Sequence, residues 1–215
     1  MAKLLIFDWD GTLCDSLSRI ALCIRCAAEE VGLSPPMEHE AREIVGLGLI
    51  EALERLFPGI HMDQVLAMRD SYSRHFVELD REPSPFFGGV SETLEGLKQQ
   101  GYLLAVATGK SRKGLDRVLK ARELSDFFHG SRCADETAGK PNPLMLNELL
   151  KEFGASPEEA LMVGDTEFDL AMAVNAGVPC VAVSYGAHCA SRFDQYAPLA
   201  CIDQFHEINN ILNNM

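Results

Sequence analysis

Lys3-Leu4-Leu5-Ile6-Phe7-Asp8-Trp9-Asp10-Gly11-Thr12 opens as a short apolar run that ends on two carboxylates set two residues apart. A near-continuous apolar run of this length suits a strand of a parallel sheet covered on both faces. Two acids just past a buried strand are costly unless something neutralises them. A divalent cation does that, and Mg²⁺ prefers hard oxygen ligands. Gly11 lets the backbone approach a phosphate closely, and the amides of this turn can form an anion nest. The bland alternative is an acidic turn that only caps a strand.

Outward from this strand, Tyr102 to Ala107, Ala160 to Val163 and Val178 to Val183 read as further strands, with Phe127-Phe128 starting a weaker one. Helices fit between them: Val90 to Gln100 stopped by Gly101, Ser111 to Arg122, and Asn142 to Phe153 stopped by Gly154. Ser156-Pro157-Glu158-Glu159 is an N-cap, a first-turn proline and two acids, enough for a short helix only. Strand–helix alternation predicts a doubly wound α/β domain with a Rossmann-like parallel sheet. From about Asp15 to Ser84 the rhythm changes. Leu17, Ile20, Ala21, Ile24, Ala27, Ala28 and Val31 recur at helical spacing, as do Leu49 to Phe57 and Met62 to Phe76. The expectation is a helical insertion over 15–83, inside a core made of 1–14 and 84–215, with Pro83-Ser84-Pro85 as the hinge.

Composition narrows the partners. With 19 Lys+Arg against 32 Asp+Glu, the net charge is −13, a field that repels nucleic acid and anionic membrane. The opening apolar run meets Asp8 and Asp10 at once, so no signal peptide is expected, and no stretch approaches the ~20 apolar residues of a membrane span. The odd number of cysteines, seven, scattered through helices and strands fits reduced thiols in the cytoplasm. Cys23-Ile24-Arg25-Cys26 has no second pair to complete a zinc site and reads as a packed helix face. The six histidines form no close constellation.

Three more pieces fall at strand ends. Thr108-Gly109 offers a hydroxyl and an unhindered amide to an anion. Lys140, in Gly139-Lys140-Pro141, holds a positive charge before a helix start. Gly164-Asp165 is followed by Asp169, and a helix beginning near Thr166 places both acids on one side. Each is weak alone; together, in order, they are not.

Asp8-x-Asp10-Gly11-Thr12, Thr108-Gly109, Lys140 and Asp165-x3-Asp169 resemble the four motifs of the haloacid-dehalogenase-like hydrolases. The resemblance spans the chain, and the helical insertion, with Val45-Gly46-Leu47-Gly48 and Glu51-Ala52-Leu53, looks like the small cap of the phosphoglycolate-phosphatase-like branch. It implies a Mg²⁺-dependent phosphatase acting on a small phosphate ester. Asp8 is then the nucleophile and Asp10 the general acid and base. Thr108, Gly109 and Lys140 bind the phosphoryl group. Asp8, the Asp10 backbone carbonyl and Asp165 hold the metal, with Asp169 behind them. An acid at position 10 favours a phosphatase or a phosphomutase over a dehalogenase, since halide leaves without a proton. A catalytically quiet binding member is the alternative from another class, but no acidic motif residue is missing. Many members of the branch have Asn where Gly109 stands, so a side-chain contact there is absent or taken over by a neighbour such as Lys110. By analogy the cap closes over the site, with Gly46-Leu47-Gly48 as a candidate substrate-facing loop. The arginines of the insertion (Arg19, Arg25, Arg42, Arg55, Arg69, Arg74, Arg81) are potential partners of an anionic leaving group.

Overall fold

A computed structural model describes residues 3–80 and 82–215. Six parallel strands form the sheet: β1 (Leu4–Phe7), β2 (Leu103–Thr108), β3 (Gly130–Cys133), β4 (Ala160–Gly164), β5 (Cys180–Val183) and β6 (Ala200–Ile202), in the order β3-β2-β1-β4-β5-β6. Successive side chains alternate between two covered faces. Leu5, Phe7, Leu104, Val106, Leu161 and Val163 pack on one side; Leu4, Ile6, Ala105, Ala107, Ala160 and Met162 pack on the other. The first face is covered by α5 (Val90–Gln99), α6 (Arg112–Ala121) and α9 (Ile208–Leu212), the second by α7 (Leu144–Phe153) and α8 (Glu167–Ala176). Strand order reverses between β1 and β4, and ligands of open α/β sheets bind beyond the carboxyl ends at such a switch.

Between β1 and α5 lie four helices: α1 (Leu17–Glu30), α2 (Glu38–Arg42), α3 (Leu49–Leu56) and α4 (Met62–Leu79). Leu17, Ile20, Ala21 and Ile24 of α1 face Ala41, Val45, Leu47 and Phe76, while Ala27 and Ala28 meet Leu53, Val65 and Met68. The short α2 is not marked by a long apolar period, which is why helical spacing alone points to three helices. Ile50 and Met62, at helix starts, are exposed.

Two strands depart from the expectation. Phe127 and Phe128 do not begin one; they pack against the core, and β3 starts at Gly130. Its sequence, Gly-Ser-Arg-Cys, is polar because it lies at a sheet edge with half-buried residues. β6, the other edge, is three residues long and carries too little apolar periodicity to be read. Ser156 to Glu159 makes a capping box on a 3₁₀ turn.

Candidate active site

β1 delivers Asp8 at the switch point, where its amide donates to the Val163 carbonyl (3.0 Å). Gly11, at φ 87°, turns the chain back, and a Cβ there would lie 2.2 Å from Asp165 Oδ2. That closeness lets Thr12 Oγ1 donate to Asp165 Oδ1 (2.8 Å), while the Ala187 amide donates to Asp165 Oδ2 (2.7 Å). Asp165 is therefore held by both its oxygens. Thr166 caps α8, and its amide and hydroxyl both donate to Asp169 Oδ2 (3.1 and 2.7 Å). The Lys140 ammonium, fully buried, pairs with Asp8 Oδ1 and with Asp169 Oδ1 at 2.6 Å.

One ligand oxygen from each of Asp8, Asp165 and Asp169 lies within 4.8 Å of the others. With all three ionised, the buried carboxylates outnumber the one buried ammonium facing them and leave a net negative charge that hydration cannot relieve. Asp8 Oδ2 is the cluster oxygen left without a partner. An orphaned anionic oxygen in an all-oxygen donor set fits a hard divalent cation such as Mg²⁺. Burial raises Asp8 well above the ordinary carboxylate range; Lys140 opposes this, and Asp169 and Asp165 add to it. Burial, with the Asp169 charge, lifts Asp165 to about 7. Burial works against the charge on Lys140, but Asp169 and Asp8 outweigh it and hold the ammonium above its usual range.

The Asp10 carboxylate stands apart from this cluster. Ser16 Oγ donates to its Oδ1 (2.5 Å) and Lys110 Nζ sits 2.8 Å from its Oδ2. Thr108 is buried at the end of β2 and accepts from the Lys110 amide (3.2 Å). At Gly109 a Cβ would lie 2.5 Å from the Leu47 carbonyl oxygen and 2.7 Å from that of Gly46. The loop Gly46-Leu47-Gly48 thus sits directly on the second motif. A Cβ on Gly46 would in turn meet Thr166 Oγ1 at 3.0 Å.

The helical insertion is tied to the core on two sides. On one, Phe168 of α8 enters the insertion's apolar cluster and Arg55 stacks over it at 5.1 Å. His188 Nδ1 accepts from the Glu167 amide (3.2 Å), so its Nε2 carries the proton given to the Glu43 carbonyl (3.2 Å). Arg192 bridges Glu43 and Glu167. On the other side, Asp80 after α4 pairs with Arg19 and Arg117 (2.6 and 3.4 Å), and Lys110 and Arg117 lie over Phe76. Among the insertion's other arginines, Arg42, Arg69 and Arg74 pair with Glu38, Asp70 and Glu30, and Arg25 is exposed. Arg81 lies outside the described residues.

Trp9 is buried, its ring meeting Phe86 and Phe128 edge-on at 5.7 and 6.1 Å. Cys14 is buried beside it, and burial, with Asp10 nearby, pushes its thiol up to about 12. Cys23 is fully buried on the insertion's core face. His188, Arg192 and Arg122 carry no sequence signal of a role here, because each acts on residues far away in the chain.

A family model described as haloacid dehalogenase-like hydrolase matches residues 5–183. The protein named probable phosphatase IndB of Dickeya dadantii (strain 3937) is 34% identical over 212 residues, covering 97% of this chain and 92% of that protein. A phosphoglycolate phosphatase of Vibrio vulnificus (strain YJ016) is 32% identical, covering 86% of this chain and 84% of its own. Among solved structures, one described as "a predicted phosphoglycolate phosphatase" from Haemophilus somnus 129pt superposes with a TM-score of 0.85 at 30% identity, covering 98% of both chains. No helix of the described residues is long and apolar enough to cross a membrane.

Proposed function

The chain belongs to the haloacid dehalogenase-like hydrolases, and on that premise we propose that it is a phosphatase releasing phosphate from a small phosphate monoester through an aspartyl-phosphate on Asp8. The observation that carries this reading is the buried group of Asp8, Asp165, Asp169 and Lys140, with Asp8 Oδ2 left unpartnered. Asp8, Asp165 and the Asp10 backbone carbonyl would hold Mg²⁺. Asp169, whose oxygens already serve Thr166 and Lys140, would fix the lysine. When bound, the ion screens the repulsion between Asp8 and the phosphoryl group.

An Asp8 oxygen attacks phosphorus and the bond to the leaving oxygen breaks. Asp10 gives its proton to that oxygen, so an alcohol departs. Asp10 then takes a proton from water, whose oxygen attacks the acyl phosphate, releasing phosphate and restoring Asp8. Lys140, Thr108 and the Gly109 amide receive the phosphoryl oxygens. Residues 15–83 act as the cap over the core formed by the chain on either side of it, and the Gly46–Gly48 loop faces the substrate. The similarity to phosphoglycolate phosphatases favours a small, anionic ester.

The test is phosphate release from a panel of small esters with and without Mg²⁺, for the unaltered chain and Asp8→Asn. We expect metal-dependent release that Asp8→Asn abolishes without unfolding the protein. An Asp8→Asn chain that still turns over removes the mechanism. Release without a bisphosphate activator separates hydrolysis from phosphomutase chemistry.

A further inference from the structure

Resting on that reading, in which Asp165 holds Mg²⁺, we propose that His188 is a positioning residue. Through the loop after β5 it links the seating of the helical insertion to the orientation of Asp165, so that metal binding and docking of the insertion strengthen each other.

Residues 186–188 lie directly against Asp165. A Cβ on Gly186 would fall 2.1 Å from Asp165 Cβ, so the backbone passes there with no side chain between. The Ala187 amide donates to Asp165 Oδ2 (2.7 Å) and the His188 amide to the Asp165 carbonyl (3.3 Å). The same two residues also reach the insertion. The Ala187 side chain packs against the insertion's apolar cluster, and His188 Nε2 donates to the carbonyl of Glu43, the residue that follows α2 (3.2 Å). Two consecutive residues therefore hold Asp165 by their backbone and the insertion by their side chains.

The imidazole has no slack. It is buried, its Nδ1 is taken by the Glu167 amide, and its ring meets Phe168 edge-on at 5.3 Å. Arg192 reinforces the seam by joining the Glu43 and Glu167 carboxylates. Lifting the insertion would strip the Nε2–H of its acceptor, and a buried donor without a partner is costly, so the ring and its loop shift with the insertion. The Ala187 amide then leaves Asp165 Oδ2, and Thr12 on Oδ1 remains as the tie on that carboxylate. The converse follows by linkage: an ion that fixes Asp165 fixes the loop where the Glu43 carbonyl needs it. Groups that orient a metal ligand from behind are worth about 10- to 100-fold in metal affinity.

Calorimetry on the whole chain, with Mg²⁺ alone as the probe, compares the unaltered protein with His188→Asn and His188→Gln. Asn places an oxygen where Nδ1 stands, which keeps the acceptor for Glu167 but loses the reach to Glu43. Gln places an N–H where Nε2 stands, which keeps the bond to Glu43. His188→Asn should weaken Mg²⁺ binding about 10- to 100-fold, and His188→Gln should keep most of the affinity. Hydrogen exchange gives a second readout. Mg²⁺ should slow amide exchange across α2 of the unaltered chain by about fivefold or more, and His188→Asn should erase that effect. Unchanged affinity in the Asn variant, a loss in the Gln variant as large as in Asn, or α2 exchange indifferent to Mg²⁺ overturns the coupling. Should the variants fail to fold, the exchange measurement on the unaltered chain decides it. Absence of Mg²⁺ binding by the unaltered chain strikes the metal reading as well, whereas binding that ignores position 188 strikes the coupling alone.

Discussion

Lys140 illustrates how much one buried side chain can hold. Its ammonium has no access to water and serves as counter-charge to both Asp8 and Asp169. Removing one partner of a buried ion pair strands the other at a cost of about 3–5 kcal/mol. Lys140→Met should lower unfolding stability in metal-free buffer by that order, measured by urea titration, and saturating Mg²⁺ should recover part of it. An unchanged midpoint would mean the carboxylates are neutralised by something else. Asp10, outside the metal cluster, invites a different experiment. With Asp10→Asn, esters of ordinary alcohols should slow by roughly 10²–10⁴-fold, the usual worth of a general acid–base. An ester whose leaving group needs no proton, such as 2,4-dinitrophenyl phosphate, should instead give one equivalent of phenolate and then stall. Steady turnover of that ester at the unaltered rate would show that Asp10 is not the base for water.

The contact between the 46–48 loop and the second motif is a matter of elements. Gly109 follows β2, and the two loop carbonyls occupy the place of its missing side chain. This chain has a glycine there, and the loop of the insertion fills the space a side chain would need. Gly109→Ala should push the loop outwards, since backbone on both sides cannot give way cheaply. Misplacing this loop by about 1 Å can cost on the order of 10²-fold in rate, so kcat/KM should fall by that order, and the melting temperature should fall as well. An Ala variant with full activity would mean that the loop does not need this seat. On the far side, His188, Arg192 and Phe168 tie the insertion to α8 and the loop after β5, so a disturbance at one seam is resisted at the other.

For the whole molecule, the order β3-β2-β1-β4-β5-β6 puts Asp8 and Asp165 on neighbouring strands at the point of reversal, with both sheet faces packed. The sheet is rigid enough to hold like charges together, and that has a pH signature. Asp165 is raised by burial from its ordinary value to about 7. A raised acid binds its proton more tightly when folded, so the metal-free chain should lose stability as pH rises from about 4 through about 7. Mg²⁺ requires the deprotonated acids, and ligand at 100 times its Kd adds about 2.7 kcal/mol. Thermal unfolding should therefore show a larger Mg²⁺ stabilisation at pH 8 than at pH 5.5. The opposite order would contradict a carboxylate metal site.

The chain's own pattern specified the sheet strands at the centre, because strands buried on both faces must be apolar throughout and their polar endings stand out. It also marked Asp8, Thr108 and Asp165, since each stands at such an ending, whereas Lys140, seven residues past β3, was marked only by its place before Pro141 and a helix start. The edge strands Gly130–Cys133 and Ala200–Ile202 were not legible, because edges are half-solvated and carry little apolar signal. Nor were α2, the turn of Asp10 towards Ser16 and Lys110, or the seat of the 46–48 loop on Gly109. The seat of the 46–48 loop and the pairing of Asp10 with Lys110 depend on atoms that meet across roughly sixty to a hundred residues of sequence, and local spacing carries no information about such distances. Only packing the insertion against the sheet brings those atoms together.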